Sequence, residues 1–123
     1  MATAKLESAI QREVKKRLES QGWLVYVTTC NAYQSGLQDL ICSHPVHGVR
    51  FCDVKRPKGS RLTKAQAQKW PEFERYGWHT WIVTTADEAE EILLGPPNWR
   101  LWWRDSYEKY LLRKPADILR DTS

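Results

Sequence analysis

The spacing of hydrophobic residues changes from a helical to a strand-like pattern early in this chain. Ile10, Val14 and Leu18 recur at every fourth position, which predicts an amphipathic helix from about Leu6 to Ser20. The following run, Trp23 to Thr29, is rich in β-branched and aromatic residues and predicts a strand. A chain that combines both patterns is expected to pack helices against a sheet.

Two further strands are predicted around a turn in the middle of the chain. The segment His44 to Gly48 contains Pro and Gly, and it separates the strand-like runs Asp39 to Ser43 and Val49 to Lys55, which indicates a hairpin. The polar stretch before them, Cys30 to Gly36, is predicted to be a loop. Because side chains alternate along a strand, one face of the second run is expected to carry Val49, Phe51, Asp53 and Lys55.

A second helix is predicted where Thr63 and Gln66 have the spacing of a capping box. Its apolar positions continue to Gly77, which is expected to end the helix. Pro71 falls inside this helix and is expected to kink or split it, because proline cannot donate the backbone hydrogen bond of a helix interior.

The remaining segments complete the order helix, three strands, helix, strand, helix. Trp78 to Thr84 predicts the fourth strand, and a second capping box at Thr85 predicts a short acidic helix that ends at Gly95. We expect a core of residues 1–97 and a Trp-rich C-terminal extension of residues 98–123, packed on the core or on a partner subunit.

Composition excludes several classes of protein. A length of 123 residues fits one domain, and seven Trp, five Tyr and two Phe are too many aromatic residues for a disordered chain. No apolar run is long enough to cross a membrane. Three cysteines without a CxxC pair, and an N-terminus without a signal-peptide pattern, predict a reduced cytoplasmic setting. The formal charge of +4 would suit a polyanionic partner but is common among ordinary proteins.

Four charged residues lie where apolar residues would be expected. Glu7 projects near the apolar stripe of the first helix, Asp39 enters a strand, and Asp53 and Lys55 share a strand face. Burial of an unpaired carboxylate is costly, so such groups acquire partners or change protonation state. Three carboxylates beside one ammonium lack positive charge, which a divalent ion such as Mg²⁺ would supply through hard oxygen ligands.

These residues, in this order, resemble a known family. Glu7, the segment Gly36-Leu-Gln-Asp39, the segment Asp53-Val-Lys55, and Gln66 look like the motifs of the PD-(D/E)xK nuclease superfamily, and more narrowly of its VRR-NUC branch. The resemblance covers roughly residues 6–94. It implies a restriction-endonuclease-like α/β fold with a central mixed four-stranded sheet flanked by helices. The chain departs from the pattern by Asp53 in place of Glu and by Gln38 where Pro is frequent.

The resemblance also implies roles for individual residues. Lys55 would orient or help deprotonate the attacking water and stabilise the charge that develops on the phosphate, and Gln66 would steady water or phosphate. A bound metal neutralises the phosphate and lowers the pKa of its water. The expected ligands of Mg²⁺ or Mn²⁺ are Asp39, Asp53, the Val54 carbonyl and, directly or through water, Glu7.

Structural explanations of the same residues, without a catalytic role, stay open at this point. Glu7 could be a solvated first-turn residue, Asp39 could serve a turn, and Asp53 with Lys55 could be a surface ion pair of little energetic weight. The capping box alone is enough to explain Gln66. Each of these explanations is reasonable for one residue, but all of them together would leave the family order of the motifs unexplained.

A basic segment follows the proposed active strand. Its cations are predicted to contact the phosphates of a nucleic acid, because neutralising phosphates releases counterions. The alternative is an ordinary solubilising loop. The residues predicted to bind nucleic acid are Arg56, Lys58, Arg61 and Lys64.

Two other clusters have competing interpretations. The Trp-rich run Asn98 to Arg104, followed by a predicted short helix from Ser106 to Arg113, is expected to pack on the core or a partner, and the alternative is stacking on unpaired bases. A zinc site is a less favoured interpretation of four residues near the hairpin, Cys42, His44, His47 and Cys52. His79 is expected to be structural rather than a general base.

The sequence is thus interpreted as a metal-dependent DNA endonuclease. A domain this small has little surface for reading bases, so we expect selectivity for branched DNA such as four-way junctions, and stand-alone members of the family imply a homodimer. We expect DNA as partner, no membrane, no small-molecule cofactor, and a bacterial or phage-infected host as a compatible setting. The alternatives are a catalytically silent DNA-binding or assembly module and a nuclease subunit targeted by a larger partner.

Overall fold

The computed structural model describes residues 6–28 and 36–111 of the chain. None of the helices in these ranges is both long enough and apolar enough to cross a membrane. The elements, in chain order, are α1 (Glu7–Ser20), β1 (Leu24–Val27), β2 (Leu40–His44), β3 (Gly48–Val54), α2 (Lys64–Arg75), β4 (Thr80–Val83), α3 (Ala86–Leu94) and α4 (Trp99–Leu111).

The four strands form one mixed sheet in the order β1-β2-β3-β4. β1 pairs with β2 and β2 with β3 in antiparallel fashion, whereas β3 and β4 are parallel. The α2 helix provides the long connection that a parallel pair requires. The expected α/β fold with a mixed four-stranded sheet flanked by helices is confirmed.

Helices cover both faces of the sheet. On one face, α1 and α3 enclose a core in which Val14, Leu18 and Leu93 are fully buried against the sheet. On the other face, a second cluster consists of Leu62, Trp70, Ile82 and Trp99, with further aromatics packed around it. The apolar stripe of α1 is confirmed, since its buried residues are the three that recur at every fourth position.

The first strand is shorter than predicted, and the two strands of the hairpin are each displaced by one residue from their predicted bounds. Asp39 lies just before β2 and Lys55 just after β3, so these residues flank the strands of which they were predicted to be the first and last residues. His44, predicted in the turn, is the last residue of β2. The predicted loop from Cys30 onward lies outside the described residues up to position 35.

The prediction for the Trp-rich segment was wrong in its boundaries. One helix, α4, begins at Trp99 instead of Ser106, and residues 112 and 113 lie outside the described range. Trp99 is buried in the second cluster, and the Asn98 amide brackets β4 by accepting from the Ile82 N–H at 2.6 Å and donating to the Ile82 carbonyl at 2.9 Å. The outer edge of β4 is thereby covered, which removes exposed groups that could pair with another chain.

Pro71 does not split α2, which runs continuously past it to Arg75. Proline has no N–H, so the carbonyl of Ala67, four residues earlier, loses its usual helical partner. The indole Nε1 of Trp103 in α4 donates to that carbonyl at 2.8 Å. The proline therefore leaves an acceptor that a neighbouring helix uses.

Candidate active site

Two aspartates meet where β2 begins and β3 ends. The antiparallel register places Leu40 opposite Cys52, which brings the preceding Asp39 beside the following Asp53. Oδ2 of Asp39 accepts from the Val54 N–H at 2.9 Å, and Oδ1 of Asp53 accepts from the Asp39 N–H at 3.3 Å. Each carboxylate is thus oriented by the backbone of the other strand.

The segment before Asp39 is held against α2 by Gly36. Gly36 has a φ of 88°, and a Cβ there would lie 3.1 Å from the backbone carbonyl atoms of Ala65 and the side chain of Lys69. Trp70 Nε1 donates to the Gly36 carbonyl at 2.7 Å. Only glycine fits this close approach without strain, so the glycine of the Gly36-Leu-Gln-Asp39 motif sets the position of the aspartate.

Lys55 and Gln66 extend the aspartate pair into a buried network. Lys55 Nζ lies 3.3 Å from Asp53 Oδ2 and donates to Gln66 Oε1 at 2.8 Å. The Gln66 Nε2 donates to Asp53 Oδ2 at 3.3 Å. The capping box at Thr63 is present, so the same Gln66 oxygen also accepts from the Thr63 N–H at 3.0 Å. The same Gln66 side chain therefore caps α2 and contacts Lys55 and Asp53, and its role in the site stays a prediction.

This network is deficient in positive charge. Asp53 is fully buried, and Lys55 is 4% exposed. Burial and the negative charge of Asp39 raise the pKa of Asp53 well above its usual range, although Lys55 opposes them. Burial likewise raises the pKa of Asp39, against the hydrogen bond from Val54. Without a further cation, the pair thus favours retention of a proton.

The donor set fits a hard divalent cation, because carboxylate oxygens are ligands that Mg²⁺ and Mn²⁺ prefer and a cation would replace the retained proton. Glu7 is the first residue of α1 and is partly buried. In the described part of the chain, no three His, Cys, Asp or Glu side chains group in a way that could hold a metal ion. The direct three-carboxylate shell with Glu7 is not formed here, and its action through water stays a prediction.

The sequence prediction overlooked residues whose hydrogen bonds support the segment that carries Asp39. Gln38 is fully buried and its Nε2 donates to Thr80 Oγ1 of β4 at 2.6 Å. The Thr28 N–H donates to the Asp39 carbonyl at 2.9 Å. In the sequence, each of these residues is recognisable only as a polar residue within an apolar run. That pattern does not show which group the residue would hydrogen-bond to.

The zinc interpretation is wrong for the described residues. Cys42 and Cys52 are free, fully buried thiols in the core between the sheet and α1, while the rings of His44 and His47 lie together and contact Trp23. A hydrogen bond with Cys42, together with burial, raises the pKa of Cys52, which disfavours the thiolate that zinc requires. In the ranges that the structure describes, these side chains do not group in a way that could hold a metal ion.

The basic segment lies at the surface next to the network. Arg56, Lys58, Arg61 and Lys64 are all exposed, and the Arg56 N–H donates to Ser60 Oγ at 3.0 Å, which closes the loop on itself. His79 Nδ1 lies 3.5 Å from Glu74 on α2, at the far end of the second helix from Gln66. The placement of His79 agrees with a structural role.

No protein-family model and no curated protein sequence matches the chain. Among solved structures, one described as "VRR_NUC domain" matches with a TM-score of 0.60 and 23% sequence identity, over 72% of this chain and 94% of that domain. The chain has the fold of a VRR-NUC domain. The VRR-NUC fold accounts for the mixed sheet, and the domain is nearly covered in full by the chain.

Proposed function

We propose that this chain is a metal-dependent DNA endonuclease that hydrolyses phosphodiester bonds. The observation that carries the proposal is the buried network of Asp39, Asp53, Lys55 and Gln66, in a chain with a VRR-NUC fold. A buried, charge-deficient carboxylate pair beside a fixed ammonium is a feature of sites that act on phosphate rather than of surface ion pairs.

Each protein group has a defined task in this proposal. Asp39 and Asp53 would hold Mg²⁺ or Mn²⁺, with the Val54 carbonyl and, through water, Glu7. The metal, when bound, would neutralise the phosphate and lower the pKa of a coordinated water. Lys55 would stabilise the negative charge that develops on the phosphate, and the hydrogen bond from its Nζ to Gln66 Oε1 would hold the ammonium in place. The product ends would be 5′-phosphate and 3′-hydroxyl.

The substrate we propose is branched DNA, with two copies of the chain cutting two strands. The four exposed cations between Arg56 and Lys64 support a polyanionic substrate. The small size of the domain supports recognition of DNA shape over a base sequence. The two buried free thiols, Cys42 and Cys52, support a reducing compartment such as the cytoplasm.

A substrate panel tests the proposal. The chain is incubated with labelled duplex, single strand, flap, fork and four-way junction, each with Mg²⁺, Mn²⁺ or EDTA. We expect metal-dependent cleavage with a preference for the branched substrates, and no cleavage in EDTA. Cleavage that persists in EDTA would contradict metal dependence, and equal cleavage of all duplex substrates would contradict shape selectivity.

A catalytically silent DNA-binding module is the second candidate. The observation that favours it is the absence of a three-carboxylate group among the described residues. Such a module would bind the junctions of the same panel and leave them intact in every metal. Light scattering of the free chain separates a homodimer from a monomer that depends on a larger partner.

A further inference from the structure

A groove lies between α1 and the start of α3 and is closed at one end by the loop that follows β3. It encloses about 810 Å³. The α1 side presents residues spaced by three and four positions, which places them on one face of the helix. From that helix the lining residues include Glu13, Lys16, Arg17 and Ser20.

Positive charge dominates the groove. Its lining contains four cations, Lys16 and Arg17 of α1 and Arg56 and Lys58 of the loop, whereas its acids are Glu13 and Asp87. Arg17 pairs with Asp87 at 2.9 Å, but the side chain of Asp87 is 88% exposed. An ion pair so exposed contributes little stability, so a stronger anion can displace Asp87 from Arg17.

The groove begins one residue beyond the proposed active site. The Lys55 N–H donates to the Val83 carbonyl at 3.0 Å, which ties together the ends of the parallel strands β3 and β4. The next residues along the two strands are Arg56 and Thr84, and both line the groove. The backbone of the strand that ends at Lys55 therefore continues into the lining of the groove, although the Lys55 side chain itself is directed to Gln66 of α2.

The N-terminus of α3 is not itself available to bind an anion in the groove. Thr85 Oγ1 accepts from the Glu88 N–H at 3.3 Å, and the Glu88 carboxylate accepts from the Thr84 N–H and hydroxyl at 2.6 Å. The helix start is thus already capped by its own side chains. The cations on the two walls are the groups left to bind a ligand.

We propose that this groove binds the phosphate backbone of the DNA strand that continues from the scissile phosphate. The inference rests on the proposed function and deepens it, because it adds Lys16 and Arg17 of α1 to the cations of the basic loop. A phosphate backbone fits the groove since its charges are regularly spaced and its binding does not depend on base sequence. Lysines here would contribute affinity and position, while specificity would come from DNA shape.

The test measures binding of a fluorescently labelled four-way junction by anisotropy, in EDTA, over a series of salt concentrations. The variants are Lys16→Ala, Lys58→Ala and the double variant. Lys15→Ala is the matched control, because Lys15 is the neighbouring residue on α1, makes the same charge change, and pairs with Glu19 outside the groove. Thermal melts check that each variant is folded.

We expect the slope of log affinity against log salt to fall by about one for each groove lysine removed and to stay unchanged in Lys15→Ala. Asp87→Asn is expected to increase affinity, because it removes an acid and frees Arg17. Equal slopes in Lys15→Ala and Lys16→Ala would contradict the proposal that the groove binds DNA, and would not affect the proposed nuclease function. Reduced binding in a chain that never cuts DNA would support the groove and reject the nuclease, and a chain that binds no DNA would reject both.

Discussion

Asp53 is the residue whose burial is expected to be both energetically unfavourable and necessary for the proposed site. Its carboxylate is fully buried, accepts from Asp39 and Gln66, and has one nearby ammonium, Lys55. Removal of one partner from a buried ion pair leaves an uncompensated charge, which costs more than the intact pair contributes. The network should therefore respond very differently to single and double substitutions.

We predict that Lys55→Met lowers the free energy of unfolding by about 3 kcal/mol in EDTA at neutral pH, because the negative charge that remains on the aspartate pair loses its counter-charge. Adding Asp53→Asn to that variant should restore most of the loss, since the unpaired charge is then removed. Urea unfolding of wild type, both single variants and the double variant measures the coupling. A double variant no more stable than Lys55→Met would contradict this description.

Gly36 provides a second prediction at the scale of one residue. Gly36→Ala should destabilise the protein by about 2–4 kcal/mol, because a positive φ and a Cβ 3.1 Å from the Ala65 backbone add their costs. Gly48→Ala is the matched control, since its φ is 82° and no atom lies within 4 Å of the added Cβ. We expect that control to lose about 1 kcal/mol in thermal or urea unfolding. Equal losses in the two variants would show that the close approach of Gly36 to α2 does not contribute to the cost of the substitution.

At the scale of secondary-structure elements, the prediction succeeded where hydrophobic period decides the structure and failed where a tertiary contact decides it. The stripe of α1 and the strand-like runs were sufficient to place the helix and the sheet. Pro71 indicated a break because the Trp103 indole that satisfies Ala67 lies on α4, far along the chain. In the Trp-rich run, Trp99, Trp102 and Trp103 have the i, i+3, i+4 spacing of a helix and pack in the second cluster, but this spacing was overlooked and α4 was predicted to start too late.

The contact between α2 and α4 predicts a coupling between Pro71 and Trp103. Trp103→Phe removes the donor to the Ala67 carbonyl and should cost about 1–2 kcal/mol. In a Pro71→Ala background, the new backbone N–H can bond to that carbonyl, so the same substitution should cost about 1 kcal/mol less. Chemical unfolding of the four variants gives the coupling energy. Independent, additive effects would contradict the shared acceptor.

A second bond between these helices predicts a pH effect. Burial acts to raise the pKa of Glu74, but the hydrogen bond and charge of Arg100, with His79, lower it below its usual 4.5. A carboxyl whose folded-state pKa is lowered stabilises the fold above that range and loses this contribution as the pH falls through it. We expect Arg100→Gln to cost about 0.5 kcal/mol at neutral pH and progressively less below pH 4.5.

The measurement for this pair is the difference in unfolding free energy between wild type and variant, followed from pH 7 to pH 3. Arg104→Gln on the same helix is the control, because Arg104 is exposed and its charge change is identical. The Arg104→Gln difference should not change with pH in the same way. A pH-independent Arg100→Gln difference would contradict the ion pair.

For the molecule as a whole, the mixed sheet explains why distant sequence motifs meet. The start of β2, the end of β3 and the first turn of α2 converge, which brings together Asp39, Asp53, Lys55 and Gln66 from 28 positions of sequence. The order of motifs predicted this grouping, but the reciprocal backbone bonds between Asp39, Val54 and Asp53 depend on strand register and could not be predicted from the residues alone. The position of Glu7 relative to the aspartates could not be predicted either. The helical period placed Glu7 near the apolar stripe of α1, but it does not say how α1 is positioned relative to the two strands.

Cleavage of supercoiled plasmid in Mg²⁺ is the most direct test of the claim that this network hydrolyses phosphodiester bonds. The assay compares wild type with Lys55→Ala and Asp53→Asn, and uses Lys15→Ala as a folded control outside the site. We predict nicking by wild type and the control and at least about a hundredfold loss of rate in both site variants. Equal nicking by wild type and Lys55→Ala, or no nicking by wild type in either Mg²⁺ or Mn²⁺, would contradict the account.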